Sequence, residues 1–402
     1  MRVCGVDPTR GDIAVSFVED MKEFKYQEYD NSIEGFKDVE ERIKDYSIDV
    51  VCIEGYGDAA KQFAIHLKGK GVKVYEINPL MLERLKESIT EHKTDHIDAY
   101  TCALFPFFRR DLKELTLDMD KEGLKSLSRL YEKISKQITR YKNQLHAALN
   151  QGFGAIYKKI FPRLNKTSLN FYLKYSSYKD IAEASISDIR NTLKSTGSCM
   201  YKGKYGLKKA KQIKDRVNNI EYSDLNDFME IQSSIIKSYC RLLLTLMEEK
   251  ERIKRKIEET VNMLFPGYKE FFKSIKGLTE LGFGRIMAEI QDINRFPDDG
   301  HLASYAGQSP KQFQSGTMNE VRNKKRYNRH LAHLIHQLAC NNVIKGRNFY
   351  NDYIEAKKRY SKKIRAIKNI KRKMVRLLFY GLKEYTEYMQ KNQIKRDILY
   401  VA

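Results

Sequence analysis

Two short apolar runs, "MRVCGVD" and "IDVVCIEG", each end in a carboxylate, Asp7 and Glu54. The second is apolar without a break from Val50 to Ile53. It reads as a strand buried on both faces, as in a sheet covered by helices. Around these runs lie the parts of an α/β domain. "DIAVSFVED" and "EFKYQEY" alternate in period two and predict an antiparallel meander with the first strand. "SIEGFKDVEERIKDY" has helical spacing through Ile33, Phe36, Val39 and Ile43, with Ser32 as its N-cap. "AAKQFAIHLKGKG" predicts a helix closed by Gly71, and "VKVYEIN" a strand stopped by Pro79. The order is β-β-β-α-β-α-β-α-α, that of a ribonuclease-H-like domain. A parallel pairing sets the ends of adjacent strands side by side, so Asp7 and Glu54 are expected to be neighbours.

The stretch "HKTDHIDAY", residues 92–100, begins the last helix of this domain and carries Asp95 and Asp98. At i and i+3 both carboxylates share one helix face. Two readings are open. Acids in a first turn oppose the helix dipole and need no further role. Alternatively, this turn joins Asp7 and Glu54 in a four-carboxylate site. An oxygen-only donor set suits a hard cation, Mg²⁺ or Mn²⁺, of the kind that handles phosphates. Four converging like charges are costly without such a cation.

Charge supports the second reading. Residues 1–120 hold 17 Lys+Arg against 25 Asp+Glu, and the remainder 57 against 27. An acidic first domain joined to a strongly basic remainder suggests a metal site coupled to a polyanion-binding surface. The six cysteines are scattered, with no CxxC, which argues against zinc and fits a reducing cytoplasm. No run of 18 apolar residues is present, so no membrane span is expected.

Beyond residue 112 the pattern is helical. Leu124, Leu127, Tyr131, Ile134, Ile138, Tyr141 and Leu145 recur by three and four, a sustained coiled-coil seam. Phe228, Ile231, Ile235, Tyr239, Leu242, Leu246 and Ile253 form a second stripe on a helix over about 226–264. Either stripe can close an intramolecular hairpin or join subunits. The expected domains are residues 1–112, a helical coiled-coil region over 113–265 with a basic insertion at about 160–225, and a mainly α domain over 266–402.

Ser315 precedes Gly316 in a predicted loop, followed by a basic run. Such a serine is usually an ordinary turn residue; it is also a candidate nucleophile if a base or metal activates it. Ser309, before Pro310, reads as a turn residue only. Lys311, Arg322, Lys324, Lys325, Arg326 and Arg329 lie close by and suit phosphate contacts. So do Lys362, Lys363, Lys371 and Arg372 in a predicted basic helix, in which Ile364, Ile367, Ile370, Met374 and Val375 are expected to be buried. His330, His333 and His336 read as part of a polar face near phosphates.

"GVD", "CIEGYG", "INP" and "KTDHIDA" resemble the RuvC-like DEDD domain of the "one-ten" insertion-sequence transposases, which include Piv-type invertases and bridge-RNA-guided recombinases. The resemblance resumes over residues 274–316: a helix-hairpin-helix-like stretch from Gly277 to Ile290, then Arg295-Phe296, then Tyr305-Ala306-Gly307 with Pro310, then Ser315-Gly316. Lys276 and Thr279 stand where the family usually shows Pro and a second Gly, which predicts that Gly282 and Gly284 supply the hairpin turn. The resemblance implies that Asp7, Glu54, Asp95 and Asp98 bind the metal and that Ser315 is a nucleophile forming a phosphoserine link to DNA.

It also implies a recombinase acting on donor and target DNA, a structured guide RNA, and a dimer or tetramer formed through the coiled coil. The expected location is cytoplasmic, at the nucleoid. The alternatives are a metal-dependent junction resolvase or nuclease that uses water, and a non-catalytic nucleic-acid-binding scaffold.

Overall fold

The computed structural model describes residues 1–55, 57–90, 92, 94–109, 112, 114–115, 118–195, 204–218, 226–315, 318–323, 326–360 and 363–401. Side chains at 80, 204, 226–227, 310–315, 318–323 and 393–401 are not described. Two compact units result, Met1–Met119 and Asp120–Ala402.

The first unit follows the expected order: β1 (Arg2–Pro8), β2 (Asp12–Glu19), β3 (Lys22–Asp30), α1 (Ile33–Asp45), β4 (Val50–Glu54), α2 (Asp58–Gly69), β5 (Val74–Ile77), α3 (Pro79–Ile89) and α4 (Asp95–Phe108). The sheet order is β3-β2-β1-β4-β5, antiparallel across the first three strands and parallel from β1 to β5. Both faces are covered. Cys4, Val6, Ile13, Val15, Phe17, Val51 and Ile53 pack on Phe36, Val39 and Ile43 of α1 and Phe63, Ala64 and Leu67 of α2. The opposite face, with Val3, Val18, Cys52 and Ile77, packs on Leu82 of α3 and Cys102, Ala103 and Phe105 of α4. This two-sided cover explains one difference from the sequence reading. β2 is buried at every residue from Ile13 to Val18, because α4 excludes solvent from the face that alternation leaves to it.

The second unit contains α5 (Met119–Phe153), α6 (Ile156–Ile160), α7 (Lys166–Lys174), α8 (Tyr178–Glu183), α9 (Ile186–Ser195), α10 (Lys204–Asn218), α11 (Asn226–Leu264), α12 (Tyr268–Phe272), α13 (Glu280–Ile290) and α14 (Asp299–Tyr305). Then follow a hairpin of β6 (Pro310–Ser315) and β7 (Met318–Asn323), α15 (Arg329–Asn342), α16 (Tyr350–Arg359) and α17 (Lys363–Val401). One apolar core runs from Leu124 on α5 to Tyr385 on α17. The described residues between Ile156 and Asn218 form five helices around Tyr157, Phe161, Phe171, Tyr172, Ile189 and Ile213.

The two expected stripes behave differently. On α5, Leu124, Ile134, Ile138 and Leu145 are buried as the seam predicts. On α11 the buried apolar positions are Ile236, Cys240, Leu243, Ile253, Ile257 and Val261. Only Ile253 comes from the predicted stripe; Phe228, Ile231, Ile235 and Leu242 face outward, Ile231 being 59% exposed and Ile236 0%. α11 therefore carries two apolar faces, and periodicity cannot say which one the chain covers.

Gly282 and Gly284 do not make the hairpin turn. They lie inside α13, which starts one residue after its cap, Thr279, whose hydroxyl accepts from the Gly282 N–H at 3.1 Å. The turn falls instead at Gly277, in left-handed backbone. Ile364 is 71% exposed on the first turn of α17, where Ala366 takes the buried position with Ile370, Met374 and Val375.

Candidate metal centre and serine hairpin

β1 and β4 are parallel neighbours, with Val6 opposite Ile53, so Asp7 and Glu54 leave adjacent strand ends. Side-chain alternation puts both on the sheet face that α4 covers. The approach of α4 depends on Gly5, two residues before Asp7. A Cβ at Gly5 would lie 2.2 Å from the Ala99 carbonyl oxygen and 2.2 Å from the Ala103 nitrogen. Only glycine permits that contact, and small Ala99 and Ala103 complete it. The Cys102 thiol donates to the Cys52 carbonyl at 3.3 Å, fixing α4 against β4 as well.

Thr94 caps α4, accepting from the Ile97 N–H at 3.2 Å, and Asp98 comes one turn later. Ligand oxygens of Asp7, Glu54 and Asp98 lie within 4.8 Å of one another. Asp98 is buried, while Asp95 is exposed and outside that group of three. Asp95 still acts on it. Burial, then the charges of Glu54, Asp98 and Asp95, push the Asp7 carboxyl from 3.8 up to about 7. The first reading of the 92–100 stretch thus describes both acids, which sit in a first turn, while of the four-carboxylate site only Asp98 joins Asp7 and Glu54 and Asp95 stays outside.

Sequence reasoning missed Lys86. From α3 its Nζ donates to Asp98 and lowers the Asp7 carboxyl, against the larger upward effects. A lysine on an amphipathic helix gives no signal of such pairing. His96 is occupied elsewhere, bonding Glu23 of β3 at 2.9 Å. Three carboxylates without a His or Cys in the group form a hard-oxygen donor set, and burial together with the neighbouring acids disfavours the charged form of Asp7. Both properties fit Mg²⁺ or Mn²⁺.

Ser315 ends β6 and pairs with Met318 of β7, so it stands at the strand-borne end of a hairpin and not in a loop. Strand pairing from Pro310 opposite Asn323 to this end accounts for the difference. Lys311 and Arg322 are opposite each other on the two strands. Gly316, Lys324, Lys325 and Lys362 lie outside the described residues, as do the side chains of Ser315, Lys311 and Arg322. Arg326, Arg329 and Lys363 are exposed; Lys371 is half-buried, and burial lowers its pKa. The Arg372 Nε donates to the Gln308 carbonyl at 2.9 Å, beside the hairpin.

His330 does not join an open polar face. Its Nδ1 lies 2.8 Å from Glu132 of α5, which also pairs with Lys136 at 2.6 Å and Arg285 at 3.5 Å. Burial alone would raise the Glu132 carboxyl, but hydrogen bonds from Lys136 and His330 hold it down at about 2. Sequence distance hid this partner, 198 residues away.

The strand order, the strand-end acids and the acid on the packing helix define a RuvC-like, ribonuclease-H-like domain, followed by a predominantly helical remainder. Residues 4–154 match the DEDD IS110 model described as "Transposase", and residues 269–353 match the "Transposase IS116/IS110/IS902 family". The chain belongs to the DEDD, IS110-type transposases. Two solved structures, Thermus thermophilus RuvC alone and T. thermophilus RuvC with a Holliday junction substrate, are each 17% identical with a TM-score of 0.24. They cover 29% of this chain and 100% and 99% of their own. No curated protein matches the chain. Among the described residues no helix is long and apolar enough to cross a membrane.

Proposed function

We propose that this transposase cuts and rejoins DNA by transesterification, with Ser315 as nucleophile, Asp7, Glu54 and Asp98 as the metal-binding carboxylates and Asp95 as a further acid beside them. The observation that carries this reading is the convergence of Asp7, Glu54 and Asp98, acids from three separate elements, in a chain of a transposase family. Asp7, Glu54 and Asp98 would hold a divalent cation directly, and Asp95 adds negative charge beside them. Bound Mg²⁺ or Mn²⁺ would supply positive charge to the phosphate oxygens and the leaving oxygen.

The Ser315 Oγ attacks phosphorus and loses its proton; the Oγ–P bond forms as the bond to a DNA oxygen breaks. A DNA hydroxyl later attacks the same phosphorus and releases Ser315. One phosphodiester is exchanged for another, so no nucleotide cofactor is consumed. Lys311, Arg322, Lys324, Lys325, Arg326 and Arg329 around the hairpin, and Lys362, Lys363, Lys371 and Arg372 on or just before α17, are assigned to phosphate contacts.

The nucleic acid bound is proposed to include a structured guide RNA besides donor and target DNA. Residues 155–218 carry 15 Lys+Arg and four Asp+Glu. Two of those acids, Asp180 and Asp188, bond Ser176, Ser177 and Ser185 at helix starts. The surface left is cationic and suits a phosphate backbone. The outward face of α11, with Phe228, Ile231, Ile235 and Leu242, supports self-association through this helix.

The test is denaturing electrophoresis of the protein with Mg²⁺ and an end-labelled duplex made from the DNA flanking its gene. A covalent adduct is expected, absent in Ser315→Ala and retained in Ser309→Ala. Cleavage at near-wild-type rate by Ser315→Ala, with free ends and no adduct, makes water the nucleophile and the protein a hydrolytic nuclease.

A further inference from the structure

The geometry points to Glu289, clamped by Arg129, as the residue that positions the β6–β7 hairpin and hence Ser315. This proposal rests on the serine reading above and adds to it a positioning residue that touches no reacting atom.

The hairpin leaves the helical body after Tyr305 and returns at Asn328. The two limbs are tied to each other. The Asn328 N–H donates to the Tyr305 carbonyl at 2.8 Å. Gly307 has φ +68°, and a Cβ there would lie 2.5 Å from the Tyr327 ring, so the limbs touch where only glycine fits. Asn328 is also where the return limb joins α15. Its side-chain oxygen accepts from the Leu331 N–H at 2.9 Å and caps that helix.

The other end of the Asn328 amide is set from below. Its Nδ2 donates to Glu289 Oε2 at 2.8 Å and to the Tyr305 hydroxyl oxygen at 2.8 Å. The Tyr305 hydroxyl in turn donates to the Glu289 carbonyl at 3.3 Å. Glu289 belongs to α13, and its side chain is 0% exposed. Arg129 of α5 grips both of its oxygens, through Nε at 3.0 Å and a terminal nitrogen at 3.1 Å. One buried carboxylate therefore links α5, α13, the departing limb and the returning limb. Burial works against its charge, and the donors from Arg129 and Asn328 more than offset that, holding its pKa below the usual glutamate range.

Two physical arguments make this a positioning device and not simply a stabilising one. The pair joins a fully buried carboxylate to a guanidinium whose side chain is 42% exposed, so it adds little net stability, but its hydrogen bonds are directional. Here they fix which way the Asn328 amide points. Further, a two-stranded hairpin is marginal by itself, so its direction is set largely at its root. Ser315 stands seven residues beyond Gln308, a reach of about 23 Å at ~3.3 Å per residue. A root rotation of about 3° moves the tip by about 1 Å, enough to cost about 100-fold in a reaction that needs near-attack geometry.

The experiment uses the full chain. Glu289→Gln keeps the shape and removes the charge. At saturating flank-derived duplex with Mg²⁺, adduct formation is expected to slow about 100-fold while DNA affinity changes by less than about threefold. Amide exchange over residues 308–328 is expected to speed up at least about tenfold, with exchange in β1 and α4 unchanged. Arg129→Gln combined with Glu289→Gln also removes the guanidinium that Glu289→Gln leaves without its carboxylate. This double variant is expected to regain melting temperature without regaining the rate. Unchanged exchange over 308–328 in Glu289→Gln overturns the proposal, and so does a rate that recovers with stability in the double variant. If the wild type forms no adduct, the serine reading fails separately, and amide exchange alone decides whether Glu289 orders the hairpin.

Discussion

Replacing Asp7 by Asn isolates the electrostatic cost of the carboxylate cluster. In the folded chain the Asp7 carboxyl is pushed to about 7, first by burial and then by Glu54, Asp98 and Asp95. Unfolded, it titrates near ~4. A folded pKa above the unfolded one means that the folded state keeps the proton between those limits. Its contribution is therefore full below pH ~4 and is lost as the pH rises through about 7. The whole shift corresponds to about 4 kcal/mol, but Asp7 is only partly buried, and solvent screening reduces the effect to ~1–2 kcal/mol.

Asn keeps the shape of Asp and carries no charge. Without metal, Asp7→Asn should match wild type near pH 4 and exceed its stability by ~1–2 kcal/mol at pH 8. Mn²⁺ should reverse that order at pH 8 by stabilising wild type alone. Amide exchange of β1 and α4, corrected for intrinsic rates at each pH, measures the local opening free energy. A difference that does not change with pH, or an Asp7→Asn protein less stable than wild type at pH 8 without metal, would refute the reasoning.

Gly5→Ala should force α4 away from β1, because the new Cβ would meet backbone atoms at 2.2 Å; a loss of about 1–3 kcal/mol and weaker Mn²⁺ binding, read by calorimetry, are expected. Lys86→Met frees Asp98 from its ammonium partner and removes a like charge from beside the cation, so Mn²⁺ should bind about tenfold more tightly at pH 8; looser binding would mean that Lys86 orders the carboxylates. Ile231→Glu with Ile235→Glu places charges on the outward face of α11 and should lower the mass measured by light scattering, with the helix content by circular dichroism unchanged.

Much of the first unit was legible because its chemistry is local. Strand-end acids, the N-cap serine Ser32 and continuous apolar runs each declare themselves within a few residues. What escaped were pairings across long sequence separations and choices between equivalent faces. Lys86 sits on an ordinary amphipathic helix, and nothing near it in sequence names Asp98. Arg129 and Glu289 are 160 residues apart. On α11, Ile231, Ile235 and Leu242 repeat as regularly as Ile236, Cys240 and Leu243, yet only the second set is buried. The hairpin "PKQFQSGTMNEVRN" is rich in long polar residues and lacks the apolar alternation that marks a strand. Its two strands pair backbone to backbone, which such residues permit without advertising.

The acids of the two units also separate structure from function. In the second unit, each of three buried glutamates has specific donors. Glu132 has Lys136, Arg285 and His330, Glu289 has Arg129 and Asn328, and Glu122 has Lys125 and Gln291. Glu132 and Glu289 are accordingly held below their ordinary pKa, which is what a completed ion pair does. Asp7 is displaced in the opposite direction, although Lys86 stands nearby. Above neutral pH a neutral side chain in place of Asp7 would serve stability better, whereas Asp98 has its own partner in Lys86. Carboxylates kept close together against their own repulsion form a donor set that fits a positively charged ligand. Among the described residues, the buried glutamates of the second unit are met by specific donors, whereas the carboxylate cluster of the first offers oxygens that fit a cation.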